Sequence, residues 1–251
     1  MRILAVTLSS LFVFFVLMLT IKIWGKGQTY TEYKHSMLQM QESSPVYTRP
    51  NYAHILEALN SADNIYLDVT ITFDQKLVIP KRKWESTEKP LRLFNYEDVK
   101  NDVLLVVDYA DLLKKKKIIF NLLENAQAIH ETFIFDLKKI GLEKGENFIV
   151  TSQYEAPIKA LKEIAPALAY GSTQPEILKI VAMQSMYLLE AATIRADVII
   201  HPLKIRNHDF FNDEILQEFE RRHKKIIVGP IEPKDLEEAR KIKPLAIIVN
   251  Y

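Results

Sequence analysis

Short apolar runs, each four to nine residues long, recur along most of the chain and set the strongest limit on its fold. They occupy residues 65–73, 117–123, 147–151, 197–201, 225–228 and 245–249. The runs from residue 117 onward do not alternate between apolar and polar residues, so they indicate strands that are buried on both faces. Segments with helical periodicity separate them, and this order predicts right-handed crossovers and a parallel sheet.

The number of strands points to one architecture. Seven or eight strands within about 200 residues predict an α/β fold, a (β/α)8 TIM-type barrel slightly shorter than usual. An open, doubly wound sheet is the alternative. No G-x-G-x-x-G or Walker motif occurs, so a nucleotide-binding fold has no direct support. Helices are predicted at 50–60, 96–113 and 175–195, and a hairpin turn at Asp74 and Gln75.

The amino-terminal segment differs from everything that follows it. Residues 3–21 carry no charge and, as a helix, would rise about 28 Å, close to the hydrocarbon thickness of a bilayer. Trp24 and Lys26 follow, as suits an interface anchor. We therefore predict a transmembrane anchor over residues 1–25, with a cleaved signal peptide as the alternative. The positive-inside rule does not orient the span, and we expect the barrel on the exported side of the membrane.

Two further segments complete the predicted organisation. Residues 26–49 are polar, and we interpret them as a juxtamembrane linker with a short helix around 30–40. Residues 50–251 form the predicted barrel. No helix follows the last predicted strand, so we expect the barrel to be incomplete or to be closed by the juxtamembrane helix.

Composition excludes several classes of function. The 33 basic and 32 acidic residues give a net charge of +1, which argues against a nucleic-acid partner. The chain has no cysteine, so disulfides, thiolate metal sites and thiol nucleophiles are excluded. No serine nucleophile elbow and no kinase motif set is present.

Residues 62–79 read ADNIYLDVTITFDQKLVI and match, without a gap, the second strand and hairpin of a known family. That family is the glycerophosphodiester phosphodiesterases, and the resemblance extends weakly over residues 48–251. It rests on the order and spacing of many weak matches, among them 118–125, 148–154 and 196–202. The resemblance implies a (β/α)8 barrel that hydrolyses glycerophosphodiesters with two histidines and a Ca²⁺ or Mg²⁺ ion held by three carboxylates.

The chain departs from the family at most of the implied catalytic positions. The family's histidine-arginine pair falls near Gln39 and Met40, and its glutamate-asparagine-threonine triplet becomes 48–50, Thr-Arg-Pro. Of the glutamate-x-aspartate motif, Tyr66 replaces the glutamate and Asp68 is retained. The remaining implied site residues are replaced by Pro80 and Lys81, by Leu123 with Glu124 one position away, and by Gly229 and Pro230.

These losses predict very little activity of the family type. Attack on a phosphodiester needs a general base, a general acid and cations that offset the developing charge. A hard cation requires several oxygen ligands, which a lone aspartate cannot supply. We therefore predict no catalytic residue and no cofactor, and expect Ca²⁺ or Mg²⁺ only if the protein is active.

A few residues remain as candidates for a site. Asp68 is a candidate metal ligand, although it could equally be a polar residue bonded to loop amides. His201 and His208 are candidate binding residues at the mouth of a barrel, against structural or solvent-exposed roles. The lysines at 114–117 could attract anionic lipid headgroups, although cations are common at helix ends.

Two functional hypotheses follow. The favoured one is a membrane-anchored, catalytically inactive barrel that binds or scaffolds a phosphate-bearing lipid fragment or a membrane protein. The alternative is an active phosphoric diester hydrolase in lipid metabolism, with a rearranged site that combines Asp68 with His201 or His208. Fold analogy alone does not decide between them, because function resides in the site.

Overall fold

A computed structural model describes residues 2–39, 43–84, 88–126, 128–206 and 208–251 of the chain. The strands are β1 Val46–Arg49, β2 Asn64–Ile71, β3 Leu77–Pro80, β4 Val103–Leu105, β5 Lys117–Leu122, β6 Phe148–Ser152, β7 Ala169–Tyr170, β8 Val198–His201, β9 Lys204–Ile205, β10 His208–Asp209, β11 Lys225–Ile231 and β12 Ala246–Asn250. The helices are α1 Arg2–Lys26, α2 Ile55–Ser61, α3 Tyr96–Val99, α4 Ala110–Leu113, α5 Ile129–Lys139, α6 Glu155–Ile164, α7 Gln174–Ser185, α8 Asp213–Arg221 and α9 Leu236–Lys241.

Eight parallel strands form the barrel, and this confirms the predicted (β/α)8 architecture. Their order around the barrel is β7-β6-β5-β2-β1-β12-β11-β8, and a parallel bridge between Gly171 and Val198 brings the two ends together. Strands β3 and β4 lie outside this ring, where β3 pairs antiparallel with β2 and β4 with β3. The predicted hairpin after β2 is therefore present.

Alternation along each strand separates an inner from an outer core, because successive side chains point to opposite faces. Tyr66, Ile119 and Ile149 lie on adjacent strands and point into the barrel. Their neighbours, such as Leu67 and Phe120, point outward and are covered by the helices. Both faces of β5, β6 and β12 are buried over most of their length, which explains the continuous apolar runs in the sequence.

Residues 33–38 close the amino end of the barrel. Met37 and Leu38 are 8% and 3% exposed and pack into the inner core. The Tyr33 hydroxyl donates to the carbonyl oxygens of residues 166–168, at 3.0 to 3.4 Å. Closure by this segment was one of the two expectations, but the helix predicted around 30–40 is reduced to a 3-10 turn over Ser36–Leu38. Met40, at the end of that prediction, lies outside the described residues.

The first strand lies inside the segment predicted to be a linker. β1 pairs with β12 over its whole length and meets β2 at Thr48 and Ile65. Tyr47 points into the inner core, whereas its neighbours are only partly buried. The strand has four residues and lacks a continuous apolar run, so its pairing partners, and not its own composition, determine it.

Two long predicted helices are interrupted. Residues 96–113 contain the short helices α3 and α4 with β4 between them, because the hairpin edge of β3 supplies a pairing partner. α7 ends at Ser185, since Tyr187 adopts φ +56° and the amide of Leu188 donates to the carbonyl of Met183. That hydrogen bond is typical of a helix carboxyl cap.

α1 stands apart from the barrel along most of its length. The window Ser9–Lys26 is long and apolar enough to cross a membrane, by length and composition only. Its large apolar side chains between Leu11 and Trp24 are mostly exposed; Leu11 is 61% exposed and Trp24 67%. A signal sequence would pass the same test.

Candidate functional site

A layer of polar side chains faces inward at the carboxyl ends of the barrel strands. Asp68 on β2 pairs in register with Asn121 on β5, which pairs with Thr151 on β6. Because the strands alternate, these three side chains lie one layer above Tyr66 and its apolar neighbours. This is the end of a barrel that carries binding and catalytic sites.

Asp68 accepts hydrogen bonds from three side chains. One carboxylate oxygen, Oδ2, receives the Arg49 guanidinium and the Tyr52 hydroxyl, both at 2.9 Å. The other, Oδ1, receives the Asn121 amide at 2.6 Å. Asp68 is 7% exposed, so this charge is held almost entirely by protein donors.

The charge of Arg49 and the neutral hydroxyl of Tyr52 both suit the Asp68 carboxylate. Burial alone would lower the pKa of Arg49, but the charge and hydrogen bond of Asp68 outweigh burial and raise that pKa. Burial and the Asp68 carboxylate together raise the pKa of Tyr52 to about 12, so its hydroxyl remains a neutral donor. Arg49 also lies 5.3 Å from the ring centre of Tyr66, a cation–π contact.

The cluster does not fit a divalent cation. A hard cation needs several anionic or carbonyl oxygens, whereas Asp68 is neutralised by a guanidinium at 2.9 Å. Tyr66, on the same inward face, offers a phenol whose pKa is raised by burial. Within the described ranges, no three His, Cys, Asp or Glu residues come together as a metal site.

A cavity of about 320 Å³ opens beside the cluster at the mouth. Tyr66 and Asn121 line one side of it, and His201 lines the other. The Ser172 hydroxyl donates to the carbonyl of Ile200 at 3.1 Å, and the Thr151 hydroxyl to that of Ser172 at 3.2 Å. The hydroxyl groups of the wall thus stabilise the backbone around the cavity.

The two candidate histidines lie away from Asp68. His201 is on β8, four strands around the barrel from β2. Its Nδ1 is 2.8 Å from the carbonyl oxygen of Pro202, and its ring packs 4.4 Å from that of Phe210. Burial lowers the pKa of His201, which favours the neutral imidazole. His208 lies exposed on β10, in the small hairpin formed with β9. The structure brings His201 to the mouth but joins neither histidine to Asp68.

The position near Gln39 that the sequence assigned to the family's histidine-arginine pair is wrong. Gln39 lies at the amino end of the barrel, beside Pro45 and Ala246, on the face opposite the mouth. Arg49 instead lies at the carboxyl end of β1, where that strand reaches the site. Glu124 lies just beyond the end of β5, and its carboxylate accepts a hydrogen bond from Arg92 at 2.6 Å.

Three members of the cluster were not predicted from the sequence: Arg49, Tyr52 and Asn121. Asn121 follows Ile119 by two residues, so strand alternation places it on the inward face. That signal was available once β5 was identified. Arg49 was missed because residues 26–49 were interpreted as a linker, and Tyr52 because it lay in the helix predicted at 50–60.

A larger groove of about 540 Å³ lies outside the barrel between α6 and α7. Two of its cations form ion pairs: Arg195 with Glu155 across the groove at 3.5 Å, and Lys162 with Asp197 at 3.4 Å. The groove is remote from Asp68, and the mouth therefore remains the candidate site.

The fold matches solved glycerophosphodiester phosphodiesterases, so the resemblance is confirmed at the level of the fold. A protein from Silicibacter pomeroyi assigned to these enzymes gives a TM-score of 0.63 at 13% identity, covering 86% of this chain and 94% of that one. A phosphodiesterase from Oleispira antarctica, in complex with its product sn-glycerol-3-phosphate, gives 0.61 at 11% identity, with 86% and 95% covered. The enzyme from Agrobacterium tumefaciens gives 0.57 at 14%, with 83% and 96% covered.

Neither a protein-family model nor a curated protein matches the chain. At such low identities the structural likeness establishes the architecture, and the activity must be argued from the site.

Proposed function

We propose that the protein is a membrane-anchored, catalytically inactive barrel of the glycerophosphodiester phosphodiesterase type that binds a phosphate-bearing ligand at its mouth. One observation carries the proposal. The inward carboxylate at the mouth, Asp68, is held by Arg49, Tyr52 and Asn121 instead of being open to a cation. In this role the barrel would present or scaffold a lipid fragment at the membrane.

The site residues support inactivity for a chemical reason. Hydrolysis of a phosphodiester requires a proton acceptor and a proton donor within reach of the reacting atoms. Both oxygens of Asp68 already accept hydrogen bonds from protein side chains, and His201 lies on the far wall, packed against Phe210. Tyr52 holds its proton, because its pKa is raised to about 12. No proton relay can be assembled from these groups as they lie.

Arg49 supports binding of a phosphate group. Its side chain is 33% exposed, and it uses one guanidinium nitrogen, Nη2, for Asp68. The planar fork retains other donors, and such donors bind phosphate oxygens in a bidentate manner. Arg49 lies over the ring of Tyr66, which lines the mouth cavity. That cavity is large enough for a glycerol phosphate unit, the product bound in the Oleispira antarctica structure.

The test measures hydrolysis and binding in the same preparation. We expect the full chain, in a mild detergent, to release no product from glycerophosphocholine with Ca²⁺ or Mg²⁺ present. We expect it to bind sn-glycerol-3-phosphate in titration calorimetry, and Arg49→Gln to weaken that binding about tenfold, as the loss of one charged hydrogen-bond donor predicts. Thr193→Ala, at an exposed position outside the mouth, is the matched control.

The same experiment exposes the alternative. Metal-dependent hydrolysis by the wild-type chain that disappears in Asp68→Ala would establish an active phosphoric diester hydrolase with a rearranged site. Arg49 would then have to leave the carboxylate on substrate binding. An absence of both hydrolysis and binding would instead reject the ligand and direct the search to a membrane protein partner.

A further inference from the structure

The last turn of α1 packs directly on the barrel. Gly25 is buried against the 3-10 turn Leu189–Ala191, where a side-chain carbon on Gly25 would lie 2.5 Å from the carbonyl oxygen of Glu190. The amino groups of Lys22 and Lys26 are each 3.6 Å from a Glu190 carboxylate oxygen. This close approach joins the apolar helix to the barrel without a flexible linker.

The contact continues beyond the end of α1. The Arg221 guanidinium donates to the carbonyl oxygens of Lys26 at 3.4 Å and Gln28 at 3.2 Å. Glu218 holds Arg221 in place at 2.6 Å, and the ring of Tyr30 lies 5.2 Å from the same guanidinium. The carboxyl end of α8 therefore fixes the chain as it leaves α1.

The two segments that contact α1, the turn Leu189–Ala191 after α7 and the carboxyl end of α8, lie at the amino end of the barrel. α7 and α8 each begin at the mouth and run to the opposite end, so their carboxyl termini lie far from Asp68. The uncharged run of α1 ends at Ile21, one helical turn or about 6 Å before Gly25. A bilayer that holds residues 3–21 thus begins beside Glu190, at the amino face.

Side chains suited to a membrane interface lie at this level. Met186 and Tyr187, just before the docking turn, are 47% and 71% exposed, and Trp24 on α1 is 67% exposed. Tyrosine and tryptophan are enriched where a protein meets the headgroup region. The capped end of α7 holds Tyr187 in place on the surface.

Exposed lysines extend the same face away from α1. Lys114 and Lys115 precede β5, on the far side of the barrel from β8, and Lys241 and Lys243 precede β12. Helix ends often carry cations, but here these ends share the face from which the apolar helix leaves. Lysines in such positions attract anionic lipid headgroups.

We infer that the amino face of the barrel lies on the bilayer that holds α1, so that the mouth opens away from it. The inference rests on the membrane anchoring proposed above. This orientation limits the class of ligand. The mouth receives a phosphate-bearing molecule from the aqueous phase, since lipids of the same bilayer lie on the opposite side of the barrel.

The absence of cysteine makes the orientation directly measurable, because single cysteines can be labelled. We would label Tyr187→Cys at the amino face and Phe73→Cys, which follows β2 at the mouth and replaces a side chain 66% exposed. The full chain is placed in nanodiscs of phosphatidylcholine and phosphatidylserine that carry a headgroup nitroxide quencher. We expect several-fold stronger quenching of the label at 187 than of that at 73.

Two glycines supply a matched pair of variants. Gly25→Leu should push α1 off the docking turn and bring the quenching at the two labels close to equality. Gly27 follows α1, and a carbon added there would meet only the carbonyl oxygens of Ile23 and Trp24, at 3.6 Å, so Gly27→Leu should preserve the difference. Loss of the difference in both variants would contradict docking through Gly25.

The outcomes separate this inference from the proposals on which it rests. Equal quenching at both labels in the wild-type chain, or stronger quenching at 73, overturns the orientation while the anchor stands. A protein that does not co-purify with nanodiscs overturns the anchoring, and the orientation falls with it. Hydrolysis at the mouth bears on catalysis alone and changes neither result.

Discussion

At the scale of single residues, the mouth of the barrel depends on one charged pair. Arg49 and Asp68 lie 2.9 Å apart, and Asp68 is 7% exposed. Removing one partner of such a pair leaves a charge without compensation in a place that water hardly reaches. The pair thus fixes the arrangement of the site, and a substitution of either partner is expected to destabilise the protein.

Arg49→Ala should lower the free energy of unfolding by roughly 2 kcal/mol, less than for a fully buried pair because Arg49 is a third exposed. Denaturation of the full chain in a mild detergent measures the change. Adding Asp68→Asn should recover part of the loss, because the unpaired charge is removed. A double variant that is less stable by the sum of both single effects would argue against coupling between the two side chains.

The sequence predicted only one member of this cluster. Asp68 was identifiable because it retains the aspartate of the family's glutamate-x-aspartate motif within a recognisable strand. Its partners come from β1, from the turn before α2 and from β5, and the sequence does not state which strands become neighbours. Hydrogen-bonding partners far apart in the chain follow from sheet order and register, which only the folded structure supplies.

At the scale of elements, segments outside the apolar runs proved hardest to predict. Strands buried on both faces were found with small errors at their ends, as with Lys117–Leu122. β1 was missed because its pairing with β12, not its composition, makes it a strand. The segment 33–38, predicted as linker or helix, instead covers the open end of the barrel.

This covering segment should behave as part of the folded core. Leu38→Ala removes a side chain that is 3% exposed, and we expect a loss of about 2 to 5 kcal/mol in unfolding free energy. The adjacent, exposed Gln39→Ala should change it by less than about 0.5 kcal/mol. If chemical denaturation shows that Leu38→Ala changes the unfolding free energy as little as Gln39→Ala does, the segment lies outside the core.

At the scale of the whole molecule, the barrel has two outer cores. One spans residues 55–170 beneath the helices on β2, β5 and β6, and the other spans 177–249 beneath those on β8, β11 and β12. The halves meet at β7 and β8, where the amide of Asp197 donates to Tyr170 and that of Ser172 to Val198. The mouth cavity lies over this seam.

The seam should open before the rest of the sheet. In amide hydrogen exchange of the native protein, we expect Ser172 and Asp197 to exchange faster than the amides of β5. β5 is paired along its whole length between β2 and β6, whereas β7 has two residues. Local opening follows the density of such contacts. Equal protection at both places would indicate a barrel that unfolds as one unit.

α1 is made long before the segment on which it packs. α1 is synthesised first, whereas Glu190, its docking partner, follows Gly25 by 165 residues. At about 5 to 20 residues per second, the ribosome reaches Glu190 roughly 10 to 30 s later. By then the whole outer core of residues 55–170 has been made. With α1 anchored as proposed above, the nascent chain would be held at the membrane well before Glu190 exists, and the orientation of the barrel would be fixed only late in its synthesis.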